Sequence, residues 1–93
     1  MLKKINANGV ESDEGFKIQI TGPEIIKYTC KNHSVDIEIN YDPKHRKAYI
    51  YAKDTVYWNN AGGKIRMTEF ERNLMIRNIK NAVKLLEGDF EVL

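Results

Sequence analysis

Hydrophobic and polar residues alternate with a period of two along much of the chain, the pattern of strands that bury one face. The first such run covers residues 16–21, and Gly22-Pro23 ends it. Residues 25–30 are mostly β-branched or aromatic, and Lys31-Asn32 separates them from a second alternating run at residues 34–41. The pattern therefore predicts a strand followed by a hairpin.

The same pattern continues beyond a proline-containing turn. In Asp42-Pro43-Lys44-His45, proline occupies the second position, which suits a type I turn, and residues 47–51 follow as the next strand. Residues 56–58 predict a short continuation or a fifth strand, and the Asn- and Gly-rich residues 59–63 predict a loop. Together these segments predict a meander of at least four strands.

The periodicity changes to that of a helix at residues 68–87. Thr68 and Glu71 have the spacing of a capping box, in which each side chain accepts a hydrogen bond from the backbone N–H of the other. Gly88 follows at a position that favours a left-handed C-cap. The apolar residues recur at spacings of three and four: Leu74, Met75, Ile79, Ala82, Val83 and Leu86. Because one helix cannot bury such a stripe alone, we predict that it lies across the sheet.

The two ends of the chain have weaker patterns. Residues 6–15 are rich in Asn, Gly and acids around Asn8-Gly9, and they predict a mobile lead-in or a first hairpin turn. Phe90, Val92 and Leu93 predict a terminal strand or a segment that packs against the core. We therefore expect one α+β domain over residues 1–93, with an antiparallel meander sheet of four to six strands and one long C-terminal helix across one face.

Composition supports a folded protein of a reducing compartment. The chain is 42% hydrophobic and 30% charged, a mixture typical of globular domains. Cys30 is its single cysteine, and the residues after Met1 lack the apolar stretch of a secretion signal. No apolar run approaches the roughly 20 residues that span a bilayer. We expect a soluble, cytoplasmic protein without contact to a membrane.

Candidate catalytic and metal-binding residues are few. His33 and His45 fall in predicted turns, so Cys30 has no evident base beside it. Asp36 and Glu38 share one face of a strand and could hold a metal or act as an acid–base pair, although alternating acids are typical of a solvated sheet face. One cysteine and two histidines do not form a structural zinc set. We predict a protein that is not an enzyme, with no catalytic residues, metal or cofactor.

The distribution of charge leaves nucleic-acid binding as an alternative. The net charge of +2 divides into −2 over residues 1–43 and +4 over residues 44–93. Lys44-His45-Arg46-Lys47 precedes Tyr49 and Tyr51, a basic and aromatic combination that suits single-stranded nucleic acid. The basic residues of the predicted helix could add to such a surface: Arg77, Lys80 and Lys84.

Residues 49–60 contain three of the five tyrosines and the single tryptophan. Tyr and Trp are frequent anchors of protein interfaces because each offers a large rigid surface with one polar group. Trp58 could instead fill the core between sheet and helix and take no part in an interface. Alternation along the strand then still leaves some of Tyr49, Tyr51 and Tyr57 on the outer face.

The order of these elements resembles the immunity protein 74 family of bacterial polymorphic toxin systems. The resemblance covers residues 16–86 and consists of a meander of short strands, the pair Tyr57-Trp58, a polar loop and a helix that opens with Thr68-Glu69-Phe70-Glu71-Arg72. It implies a small cytosolic antidote that binds a toxin domain and blocks it by occlusion.

We therefore predict a non-catalytic protein whose partner is a cognate toxin domain. If the toxin were a nuclease, an acidic strand face that includes Asp36, Glu38 and Asp42 could mimic phosphate and bind its basic active site. The predicted partner-binding residues are Asp36, Glu38, Tyr49, Tyr51, Tyr57, Trp58, Asn59 and Asn60.

Overall fold

A computed structural model describes residues 1–60 and 63–93 of the chain. Strands and one helix account for most of this part. In chain order they are β1 (Leu2–Asn6), β2 (Gly9–Ser12), β3 (Phe16–Gly22), β4 (Ile25–Cys30), β5 (His33–Asp42), β6 (Lys47–Ile50), β7 (Tyr57–Asn60), β8 (Gly63–Arg66), α1 (Glu69–Val83) and β9 (Asp89–Val92).

The main sheet has seven strands in the order β1-β2-β3-β4-β5-β6-β9. Neighbouring strands are antiparallel from β1 to β6, as expected for a meander joined by short turns, whereas β9 pairs with β6 in parallel. Strands β7 and β8 form a separate antiparallel hairpin. The predicted α+β class is confirmed, and the main sheet is larger than the four to six strands expected.

The segment at residues 6–15, which was expected to be a lead-in or a first hairpin turn, contains β2, and β1 ends where it begins. Its alternative as a first hairpin is correct, because β1 and β2 pair across the turn at Ala7-Asn8. The Asn6 side-chain oxygen accepts from the backbone N–H of Asn8 at 2.8 Å and fixes this turn. A Cβ atom at Gly9 would lie 2.4 Å from the side-chain oxygen of Gln19, so a larger residue there would require the Gln19 side chain to move.

The predicted loop at residues 59–63 is wrong at both ends. Asn59 and Asn60 belong to β7, and Gly63 begins β8, with Asn60 opposite Gly63. The middle of the predicted loop, Ala61 and Gly62, lies outside the described residues. Asn and Gly are frequent in turns and loops, and composition alone did not show that Asn59, Asn60 and Gly63 pair between two strands.

The helix begins as predicted and ends earlier. The Thr68 hydroxyl accepts from the backbone N–H of Glu71 at 3.1 Å, and the Glu71 carboxylate accepts from that of Thr68 at 2.8 Å, which completes the capping box. α1 stops at Val83 rather than at residue 87. Gly88 has the left-handed φ of 116° expected of it, but it follows the tighter turns in which Leu85 and Leu86 bond three residues back.

The core lies between α1 and one face of the sheet. Strand β5 shows how it is built, because Val35, Ile37 and Ile39 are buried while Asp36 and Glu38 between them are exposed. The face of the main sheet that carries the buried residues is called the inner face below, and the opposite one the outer face. From α1 and its end the core receives Met75, Ile79, Ala82, Val83 and Leu86.

One polar pair crosses this core. Asn78 of α1 is 5% exposed, and its side-chain amide donates to the Tyr28 hydroxyl at 3.1 Å. Burial raises the pKa of the Tyr28 phenol above its ordinary value, so the hydroxyl stays neutral. The pair fixes α1 over β4, since a buried amide that lost this partner would be left unsatisfied.

Candidate functional site

Four of the predicted partner-binding residues lie together on the outer face: Asp36 and Glu38 of β5, Tyr49 of β6, and Tyr51 just after it. The Tyr51 backbone N–H donates to the carbonyl of Glu38 at 3.0 Å, which extends the β5–β6 pairing beyond β6. Tyr49 lies opposite Asn40, two residues beyond Glu38. The carboxylates are exposed and the tyrosines half-buried. We call these four residues the acid–tyrosine patch.

Strand β9 extends this acidic surface. Glu91 lies opposite Tyr49 and Asp89 opposite Lys47, and both acids are exposed on the outer face. Sequence analysis missed these two residues as part of the site. The alternation of Asp89 and Glu91 with Phe90 and Val92 was a signal for a strand, but only the fold places that strand beside β6.

Few basic groups oppose these acids. Lys27 of β4 lies opposite Asp36, and Lys47 lies between Asp42 on one side and Asp89 on the other. Glu38 lies opposite an uncharged residue, Ile25. The outer face at β5, β6 and β9 is therefore acidic, because Lys47 lies between two carboxylates there and Lys27 of the neighbouring β4 lies opposite Asp36.

The basic hairpin tip is held by one of these acids. Asp42 accepts from the backbone N–H groups of Lys44 and His45 at 3.0 and 3.4 Å, and its other oxygen lies 2.6 Å from His45 Nδ1. The interaction with the His45 ring and these N–H groups lowers the pKa of the Asp42 carboxyl. The expected turn is confirmed, and one carboxylate, that of Asp42, lies among its basic residues, bound to His45 and opposite Lys47.

Trp58 lies in the core rather than at an exposed interface. It is 3% exposed and stacks on Tyr28, with ring centroids 6.0 Å apart and planes 19° apart. Tyr28 belongs to the inner face, which places Trp58 on the other side of the sheet from the acid–tyrosine patch. Its ring therefore belongs to the core and not to the acid–tyrosine patch.

Tyr57 and Asn59, the neighbours of Trp58 in the chain, are exposed while Trp58 is buried. Tyr57 is 42% exposed, and the Arg66 guanidinium lies 5.9 Å from the centre of its ring. Asn59 is exposed, and its backbone oxygen accepts from the Ser34 hydroxyl at 3.4 Å. The backbone of Asn60 ends β7, and its side chain lies outside the described set. Tyr57 and Asn59 thus remain accessible, on a hairpin separate from the acid–tyrosine patch.

The candidate catalytic residues are closer together than expected. His33 is the first residue of β5 instead of part of a turn, and it lies directly opposite Cys30 on β4. Its ring stacks on Trp58 at 5.2 Å. His45 is exposed at the far hairpin tip, where Asp42 binds it. Within residues 1–60 and 63–93, no three His, Cys, Asp or Glu side chains are grouped as a metal site requires.

Comparison with known proteins yields no relative for this chain. No family model matches it, and neither a curated protein nor a solved structure is significantly similar to it. The resemblance to the immunity protein 74 family stays a prediction. Across the described residues, α1 is too short and too polar to cross a membrane.

Proposed function

We propose that this protein is a small, non-catalytic antidote that binds a toxin domain through the outer face of its sheet and blocks it by occlusion. The observation that carries the proposal is the acid–tyrosine patch, with Asp89 and Glu91 beside it. It is an exposed acidic surface on the sheet face opposite the one that α1 covers.

The chemistry of this surface favours a basic protein partner. Carboxylates on a rigid sheet attract a basic patch and speed its encounter, while tyrosines supply large contact area with little loss of side-chain entropy. A basic cleft that binds phosphate groups is one such partner, because the acids can occupy the positions of the phosphates. We infer a toxin domain with a basic active site, of the kind found in nucleases.

The nucleic-acid-binding alternative has less support. Its basic hairpin tip adjoins Asp42, and Lys47 lies between Asp42 and Asp89. These carboxylates repel phosphates at the place where the cations would bind them. The outer face therefore favours a cationic protein over an anionic polymer.

The test uses the product of the gene immediately upstream, where we expect the toxin to be encoded. Expressed alone, that product should arrest growth, and co-expression of this protein should restore it. The double variant D36N/E38Q removes two charges from the patch and keeps the side-chain shapes. We expect it to bind the toxin about tenfold or more weakly, measured by calorimetry.

The matched control is E11Q. Glu11 is exposed on the outer face at β2, separated from β5 by β3 and β4. This variant should bind as the wild type does. Equal affinities of D36N/E38Q and E11Q would rule out the acidic surface as the binding site, and failure of the two proteins to form any complex would reject the antidote function.

A further inference from the structure

Strand β9 is the last strand of the main sheet, and one of its edges is open. In the part of the chain that the structure describes, β9 pairs with β6 on one side and with no strand on the other. The Leu93 N–H donates to the carbonyl of Ile50, and the Leu93 carbonyl accepts from the N–H of Lys53, each at 2.8 Å. Both backbone groups of Leu93 therefore point toward the β6 side. Since backbone groups alternate in direction along a strand, those of Phe90 and Val92 point to the open edge.

A cleft of about 530 Å³ follows this edge, between β9 and the end of α1. Phe90 and Val92 line it with half-buried side chains that pack against the core. Lys80 and Lys84 line the side that α1 contributes, and both are exposed. A further strand paired with β9 would lie about 4.8 Å from it and would occupy this cleft.

The opposite edge of the sheet is protected against such pairing. Strand β1 has an irregular register between Lys4 and Asn6. Lys4 lies opposite the buried Val10, so it carries its charge on the inner face. Bulges and inward-pointing lysines are features by which natural sheets prevent edge-to-edge association. Residues 89–92 of β9 include no lysine or proline and pair with β6 in regular register, so this edge lacks the same protection.

Charge on the two sides of β9 selects the strand that could bind there. Asp89 and Glu91 are exposed on the outer face, where they attract basic side chains. On the inner side, Lys80 and Lys84 repel basic side chains, and the half-buried residues of β9 offer apolar contact. A strand whose basic and apolar residues alternate suits both sides, because successive side chains point to opposite faces. A second copy of β9 does not, since its acids would lie beside Asp89 and Glu91.

We propose that the open edge of β9 binds an extended peptide segment of alternating basic and apolar residues, which adds to the main sheet as an antiparallel strand. Antiparallel pairing is the more stable orientation per residue. The apolar residues of the peptide lie opposite Phe90 and Val92 and exchange backbone hydrogen bonds with them. Its basic residues lie beside Asp89 and Glu91 on the outer face. Backbone bonds then supply affinity, and alternate side chains supply specificity.

The experiment titrates the whole ¹⁵N-labelled protein with the peptide acetyl-Lys-Val-Lys-Val-Lys-amide. Saturation should slow hydrogen exchange of the Phe90 and Val92 N–H groups about tenfold or more, because both become hydrogen-bonded. The Leu93 N–H already bonds to Ile50 and should change little. Absence of binding, or unchanged exchange at Phe90 and Val92 in the saturated protein, would overturn the proposal.

Two N-methylated forms of the peptide test the backbone pairing. In the antiparallel arrangement the valine N–H groups donate to β9, and the lysine N–H groups point away from it. Methylation of both valine nitrogens should therefore weaken binding about tenfold or more, and methylation of two lysine nitrogens should leave it nearly unchanged. The two forms have the same charge and the same side chains. Equal affinities, or the reverse order, would contradict the antiparallel strand.

Protein variants test the selection by charge. D89N/E91Q removes the two acids beside the peptide, and we expect about fivefold weaker binding at low salt. The matched control, E11Q/E14Q, removes two exposed acids near β2, at the other end of the sheet, and should bind as the wild type does. Equal affinities of the two variants would place the peptide elsewhere. The site goes beyond the proposed antidote function, and its test needs no toxin, so either proposal can fail without the other.

Discussion

The inner and outer faces of the main sheet are built from alternate residues of the same strands, yet they differ in what covers them. On β4, Ile26 is completely buried in the core, while its neighbour Ile25 stays 41% exposed. On β5, Ile37 is buried between the exposed Asp36 and Glu38. Two residues of identical chemistry, one position apart, thus have different surroundings because one face lies against α1.

This difference separates stability from recognition. Hydrophobic stabilisation scales with the apolar area removed from water, so the inner residues provide most of it. Exposed acids contribute little to folding, since solvent screens their interactions. The outer face can therefore carry a binding surface such as the acid–tyrosine patch without a large effect on the fold.

The largest expected effect compares I26A with I25A. Ile26 fills the core, and its truncation should lower the free energy of unfolding by about 2–5 kcal/mol because it removes buried surface and leaves a cavity. Ile25 lies on the outer face, and I25A should cost less than about 1 kcal/mol. Urea unfolding of the two variants measures both values. Similar losses would show that the outer face is also covered in solution.

A smaller effect is expected from the buried polar pair. N78A removes the amide that donates to the Tyr28 hydroxyl and leaves that hydroxyl unpaired in the core. We expect a loss of about 1–3 kcal/mol in thermal or urea unfolding. The control is N81A on the exposed side of α1, which should change stability by less than about 0.5 kcal/mol. Equal effects would mean that the pair does not stabilise the packing of α1.

The smallest effect concerns the exposed start of α1 and depends on pH. The pKa of the Glu71 carboxyl is lowered in the folded state, chiefly by the Thr68 backbone N–H. A lowered pKa contributes stability above the unfolded value, near 4.5, and this contribution is lost as the pH falls through the folded value. Because Glu71 is only partly buried and solvent screens its charge, the contribution stays below about 1 kcal/mol.

The measurement compares unfolding of the wild type and E71Q between pH 7 and pH 3. Gln keeps an acceptor for the Thr68 N–H but does not titrate, and all other acids are common to both proteins. The wild type should be the more stable at pH 7, and the difference should shrink toward pH 3. A difference that is constant with pH would exclude the charge of Glu71 as its cause.

Local patterns predicted the central elements well. The alternation and turn residues from Phe16 onward gave β3, β4 and β5 within about two residues, as expected where period, turn chemistry and β-propensity agree. The capping box gave the first turn of α1. The end of α1 was predicted four residues too late. Leu85 and Leu86 continue the helical pattern of apolar residues, but their backbone N–H groups bond three residues back and form tighter turns that lead to β9.

The candidate site was predictable only in part. Alternation places Asp36 and Glu38 on one face of β5, and it places Tyr49 and Tyr51 on one face of the next strand. Once β5 and β6 pair, all four residues can lie on the same surface. The position of Trp58 could not be predicted from the sequence, because a tryptophan in a short strand is compatible with both the core and an interface. Its stacking on Tyr28 required the β7–β8 hairpin to fold against the inner face.

The sequence by itself determined the α+β class, the central meander, the capped helix and the exposed acids of β5, because each depends on contacts between residues close along the chain. Tertiary structure alone decided that β9 pairs with β6 in parallel and brings Asp89 and Glu91 to the outer face. It also decided that Trp58, His33 and Phe70 line one pocket. These contacts join residues far apart in the chain, and only the packing of α1 and β7 against the sheet brings them together.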